Sequence, residues 1–206
     1  MRGLVAMLGL VLASAPVVAV AQPAAMAATA AVPPVEGFHA ALITAMKGGA
    51  KLGFAGRREG LAAPVRAAFD LPGMAQLMVG PRWASLTPAD RQAIIDAFAD
   101  WTIANYASQF KAFGGERFAT LGTGEAGRGT VLVRTQLVLP KDEPVAFTYR
   151  LRQGADGQWR VIDILLDGTV SQISQRRAEF AAIFAQGGAP ALIKAIRDRT
   201  ARLAAS

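Results

Sequence analysis

The hydrophobic period of this chain switches once, from helical to two, near Glu116, and the switch limits the folds available to it. Before that point the apolar residues recur at helical spacing. Val35 to Met46 and Arg58 to Phe69 read as helices separated by breaks at Gly48-Gly49 and Gly53, and a short helical patch follows Pro72. The strongest helical signal begins at Thr87, a capping residue, with Pro88 in the first turn and Asp90 at the third position. The pattern predicts a helix to about Phe113, ended by Gly114-Gly115. Ile94, Ile95, Phe98, Trp101, Ile103, Tyr106, Phe110 and Phe113 cover about half of that cylinder. Only a stripe carrying Asp96, Asp100 and Lys111 is plainly polar, so the helix must touch apolar material on more than one side.

After Glu116 the alternation is that of strands. Thr130 to Leu139 puts Val131, Val133, Leu137 and Leu139 on one face, with Thr135 among them. Val145, Phe147, Tyr149 and Leu151 alternate with Ala146, Thr148, Arg150 and Arg152, as in a half-buried antiparallel strand. Asp156-Gly157 marks a hairpin turn before Trp159 to Leu166. Helical spacing returns from about Val170 to Gln186, breaks at Gly187-Gly188, and resumes at Pro190. Helices, then about four strands, then helices give an α+β domain. Its architecture is a curved antiparallel sheet with helices before and after it, enclosing an apolar cavity of a size to take a lipid.

The amino terminus addresses the compartment. Arg2, an apolar run from Leu4 to Ala15, and Ala19-Val20-Ala21 before Gln22 have the form of a secretory signal with a small-x-small cleavage site. The run before Pro16 is shorter than the roughly 20 residues of a spanning helix; an uncleaved anchor is the alternative if it extends to Val20. Residues 1–21 are thus expected to be removed, residues 22–34 to form a flexible Ala- and Pro-rich leader, and residues 35–206 to form one domain. With no cysteine there is no disulfide framework, no thiolate metal site and no lipidated cysteine. The net charge of +7 suits anionic lipid headgroups or an acidic partner surface in an exported protein better than nucleic acid, and an ordinary soluble basic surface accounts for it equally.

Signals for catalysis are sparse. His39, the only histidine, reads as an ordinary helix-surface residue with no nucleophile motif around it. The Gly-rich run Gly122 to Gly129 lacks the Lys-Ser/Thr ending and following helix of a phosphate loop, so it reads as a hairpin loop. Neither a metal site nor a cofactor site is indicated. Asp163 near Tyr149 could supply acid-plus-phenol chemistry in an apolar cup, and it could equally pair with Arg150 or Arg160.

Phe69-Asp70, Met74-Ala75, Val79-Gly80, Trp83, Thr87-Pro88 and Arg91 form an ordered set. Tyr149-Arg150-Leu151-Arg152, Gly157-Gln158-Trp159-Arg160-Val161-Ile162-Asp163, Gly168, Val170-Ser171, Phe180 and Gly187-Gly188 continue it. Together they resemble the MlaC, or toluene-tolerance, family. The resemblance implies a periplasmic carrier that moves phospholipid between an outer-membrane complex and an inner-membrane ABC transporter, with acyl chains in a cavity between helices and sheet. Thr169 after Gly168, and Gln175-Arg176-Arg177 where the family has Asn-Tyr-Arg, resemble the hopanoid-associated HpnM branch and leave phospholipid and hopanoid both open as ligand.

The residues expected to line the cavity are Phe98, Trp101, Tyr106 and Phe110 on the long helix and Val133, Phe147, Tyr149 and Ile164 on the sheet. Arg150, Arg152 and Arg160 are expected to steer a headgroup or a docking partner, a solvated strand face being the plainer alternative. Two rival functions remain open: a small lipid- or steroid-modifying enzyme using Asp163 and Tyr149, and a cavity-free adaptor of a membrane transport complex.

Overall fold

Five antiparallel strands in the order β1-β2-β3-β4-β5 form the sheet of this α+β domain, a computed structural model that describes residues 23–205. The strands are β1 (Arg117–Glu125), β2 (Thr130–Val138), β3 (Val145–Gln153), β4 (Trp159–Leu166) and β5 (Val170–Ser171). The sheet is curved and open, with helices on both sides. Register shifts at Thr120/Gly122 and at Arg150/Leu151 add residues to single strands, which bends a sheet and increases its twist. Gly122 and Gly124 lie within β1, and the Gly-rich run makes the tight β1–β2 turn, where the Ala126 amide donates to the Thr130 carbonyl.

Helices precede and follow the sheet: α1 (Pro23–Ala30), α2 (Val32–Ala68), α3 (Leu71–Val79), a 3-10 turn (Gly80–Ser85), α4 (Pro88–Gln109) and α5 (Gln172–Ala204). α2 is two arms joined through Gly49 and Gly53, whose φ angles of 43° and 61° lie in the region that favours glycine. Gly187 and Gly188 break α5, Gly188 with a φ of 63°. Thr87 caps α4 by accepting the Asp90 amide at 3.1 Å. α4 stops at Phe110, three residues before the expected end. Phe113 therefore leaves the helix and sits exposed, with the Lys47 ammonium 5.2 Å from its ring centre.

The expected signal peptide lies outside the described residues. The expected flexible leader differs from the structure: within residues 22–34, α1 and the start of α2 are helical, and Ala28 and Ala31 are buried in the core. Alanine is the strongest helix former, and its small side chain lets this helix lie close to β1 and β2. A fifth short strand also appears where helix was expected from Val170. Ser171 accepts the Ser174 amide at 3.0 Å, which starts the helix two residues later.

The core joins both layers: Phe38, Leu42, Leu61 and Val65 of α2, Ile94, Phe98 and Ala107 of α4, and Val133, Leu151 and Val161 of the sheet. One buried carboxylate ties the layers. Asp163 in β4 accepts from Ser171 Oγ at 2.6 Å, from its neighbour's amide Ile164 N at 2.8 Å and from Ile173 N at 3.2 Å. It thus fixes the start of α5 to the sheet. Replacing Asp163 with Ala leaves buried donors unmatched, and unfolding in urea is expected to show a loss of about 3 kcal/mol with the same transition slope.

Candidate functional site: an apolar cleft between α4 and α5

α4 presents Phe98, Trp101, Thr102, Asn105 and Tyr106 to a cleft closed by Phe69 and Met74 on one side and by Ile164, Gln172, Ile173 and Arg176 on the other. The cavity measures about 90 Å³. Its floor is buried and apolar: Phe69, Met74, Phe98, Trp101 and Ile173. Its rim is half-buried and polar: Thr102, Asn105, Gln172 and Arg176. Such a cleft offers apolar matter a dry floor and a hydrogen-bonding group a wet edge.

Four of the eight expected lining residues, Phe98, Trp101, Tyr106 and Ile164, converge here. Val133 and Tyr149 are buried in the core. Phe110 and Phe147 are partly buried and pack against that core, Phe110 with its ring 6.2 Å from Phe118 and Phe147 with its ring 6.5 Å from Tyr149. Phe69, Met74 and Ile173 were not on the expected list. Their signal was present, since Phe69 and Met74 belong to the ordered motif set, but periodicity does not say which turn of a helix meets another element.

Behind the cleft lies a buried polar pair, His39 and Tyr149, of which the sequence placed His39 at the surface. His39 is 4% exposed, stacked on Phe118 at 3.8 Å, and its Nε2 shares a 3.0 Å hydrogen bond with the Tyr149 hydroxyl. The expectation of a surface histidine is corrected, because α2 packs this face against β1 and β3. Burial lowers the imidazole pKa to about 4, and burial together with the adjacent Tyr106 raises the Tyr149 phenol well above its ordinary value. Asp163 shares no hydrogen bond with Tyr149 and pairs in register with Arg150. The acid-plus-phenol arrangement is not assembled.

The sequence profile of the MlaC protein family matches residues 37–198. The chain belongs to the MlaC family. Among solved structures, it is similar to the phospholipid-binding protein from Ralstonia solanacearum in complex with a phospholipid. That likeness has 24% identity and a TM-score of 0.72, covering 86% of this chain and 98% of the other. At that identity the likeness establishes the fold. A search of curated proteins finds no relative.

In this MlaC chain the arginines expected to steer a headgroup are engaged within the protein. Arg152 donates to Asp70 Oδ2 at 3.2 Å, joining β3 to the cap of α3. Arg160 holds Asp156 at 2.6 Å and 3.0 Å, and the guanidinium lowers that carboxyl to about 2. Arg150 has a buried Nε without a partner among the described residues. Although Arg150 lies in register with Asp163, neither it nor Arg160 forms an ion pair with that carboxylate among the described residues. Sequence could not show this, because the acids that engage Arg152 and Arg160 are supplied by the fold and the hairpin turn. None of the three lines the cleft.

Other hollows differ in kind. A groove of about 860 Å³ runs between the arms of α2 and the β3–β4 hairpin, past Pro33, Pro34, Phe38, Pro64 and Trp159. A second, of about 520 Å³, lies between α2 and β1 and carries charges of both signs: Glu36, Lys47, Glu116 and Arg117. Among the described residues no group of three or more His, Asp or Glu could hold a metal.

The His39 pair gives a pH signature. The unfolded chain takes up a proton near 6.5 that the folded chain refuses until about 4, so stability falls as pH drops through that window. The full difference is on the order of 3 kcal/mol. Urea unfolding at pH 7 and 4.5 is expected to show His39→Gln losing about 2 kcal/mol less than the parent on acidification.

Proposed function

We propose that this chain is a periplasmic lipid carrier that takes phospholipid into the α4–α5 cleft and exchanges it between an outer-membrane complex and an inner-membrane transporter. The observation that carries this reading is the convergence of Phe98, Trp101, Tyr106 and Ile164, from two layers, on an apolar floor with a polar rim. Family membership and the phospholipid held by the Ralstonia solanacearum protein of the same fold support it. The signal-like amino terminus supports export. Among the described residues no helix is long and apolar enough to cross a membrane.

A cleft of about 90 Å³ is smaller than the roughly 300 Å³ at which ligand sites begin, so loading requires its walls to part. The first arm of α5 is the mobile wall in this mechanism, pivoting on its first turn, which Asp163 holds to β4. It is bounded by Asp167 and Gly168, both at positive φ, and by the Gly187-Gly188 break. Swinging this arm from α4 admits an acyl chain, and each buried methylene returns about 0.8 kcal/mol. The energy of transfer from a bilayer is nearly balanced, as a carrier needs, because the chain leaves one apolar phase for another. Unloading is then governed by the partner complexes that bind the open or closed form.

Native mass spectrometry of the protein purified from its own periplasm is expected to show one bound lipid, whose mass separates phospholipid from hopanoid. Ile164→Glu, at a half-buried wall position, is expected to lower the lipid-bound fraction at least about tenfold while leaving a cooperative thermal transition. A parent protein that is empty and takes up neither added lipid would contradict the carrier reading and favour an adaptor.

A further inference from the structure

The rim of the cleft carries one cation, and its surroundings are unlike those of the other arginines near the sheet. Arg176 projects from the first arm of α5 with its guanidinium carbon 4.6 Å from the Trp101 ring centre, and about a third of its side chain is exposed. Its partner is Glu179, at 3.3 Å. Glu179 is also held by Arg199, which stacks on Phe180 at 4.7 Å. Two guanidiniums therefore share one carboxylate, and the cluster keeps a net positive charge at the mouth.

The cation–π contact with Trp101 uses none of the Arg176 N–H groups. Of its five donors, one is engaged among the described residues, by Glu179. The remaining fork is free for a planar or tetrahedral oxyanion, the geometry that arginine recognises best. Asp163, the buried acid in β4, accepts from Ser171, Ile164 and Ile173 rather than from Arg176. Asn105, on the facing wall, makes no side-chain hydrogen bond among the described residues and can add a donor.

We propose that Arg176 forms a phosphate-recognising headgroup site at the mouth of the cleft and selects phosphate-bearing lipids over uncharged lipids with the same acyl chains. The site rests on the carrier reading. Arg177 provides an internal control. It is the next residue and carries the same charge, but it lines a separate hollow beside Val79, Arg82 and Phe184.

The test offers the delipidated full-length mature protein an equal mixture of phosphatidylglycerol and diacylglycerol with identical acyl chains, read by native mass spectrometry. The parent is expected to favour phosphatidylglycerol by about tenfold or more, the factor of one charge-assisted hydrogen bond. R176Q is expected to bring the ratio to about one, R176K to fall between, and R177Q to match the parent. The parent's preference should shrink as salt rises from about 0.05 to about 0.5 M, a reading that needs no variant and stands if R176Q fails to fold. Equal occupancy of the two lipids in the parent, or an undiminished preference in R176Q, overturns the headgroup site and leaves the carrier reading intact. Uptake of neither lipid overturns both. Arg176-dependent binding of inorganic phosphate with no selection between lipids would make this a free-anion site and also overturn the proposal.

Discussion

α4 is apolar around about half of its circumference, and covering it on several sides is the requirement to which the other elements respond. Ile94, Ala97, Phe98, Ala99, Trp101, Ile103, Ala104 and Ala107 are all buried, and they span more than one face of the helix. α2 covers one side and α5 another, with α3 filling between them. The alanines allow close approach on the covered faces. The large residues Phe98, Trp101 and Tyr106 hold the neighbouring walls apart. A cleft is what remains where bulky side chains meet at the start of α5 and the end of β4.

A layer packed this way still has to satisfy the polar groups it encloses, and it does so with a few long-range bonds. Arg57, almost fully buried, donates to the Gly49 carbonyl and, at 2.9 Å, to the Ala107 carbonyl. The first is a group left over at the break in α2. The second lies in the last turn of α4, where a cation also complements the helix dipole. His39 and Tyr149 satisfy one another across α2 and β3. Asp163 does the same between β4 and α5. Each bond sits at a junction that would otherwise leave a donor or acceptor dry.

Periodicity made the fold class legible, since the change from 3.6 to two near Glu116 survives any uncertainty about individual residues. The breaks at Gly49, Gly53 and Gly187-Gly188 were legible as glycines interrupting helical spacing, and Gly49, Gly53 and Gly188 take positive φ angles there. Partnerships were not legible. His39 and Tyr149 are 110 positions apart, and Arg152 and Asp70 are 82 apart. A histidine on a helix and arginines on a strand look solvated until the opposing layer is known. The helical leader was hidden by composition, because an uncharged Ala- and Pro-rich run reads as loop unless a neighbouring sheet edge is there to bury Ala28 and Ala31. Periodicity did not separate cleft wall from core. Phe98, Trp101, Tyr106 and Ile164 reach the cleft, whereas Val133 and Tyr149 have the same chemistry and belong to solid core.

The decisive question is which hollow receives the acyl chain, because the cleft is small and apolar while the groove beside α2 and the β3–β4 hairpin is larger and open. A phospholipid with a diazirine at the end of one acyl chain, irradiated with the full-length protein and mapped by peptide mass spectrometry, answers it directly. Crosslinks at Phe69, Met74, Phe98, Tyr106 or Ile164 are the expected result. Crosslinks confined to residues 30–38, 64–68 and 157–160 would place the lipid in the outer groove and contradict the assignment of the α4–α5 cleft.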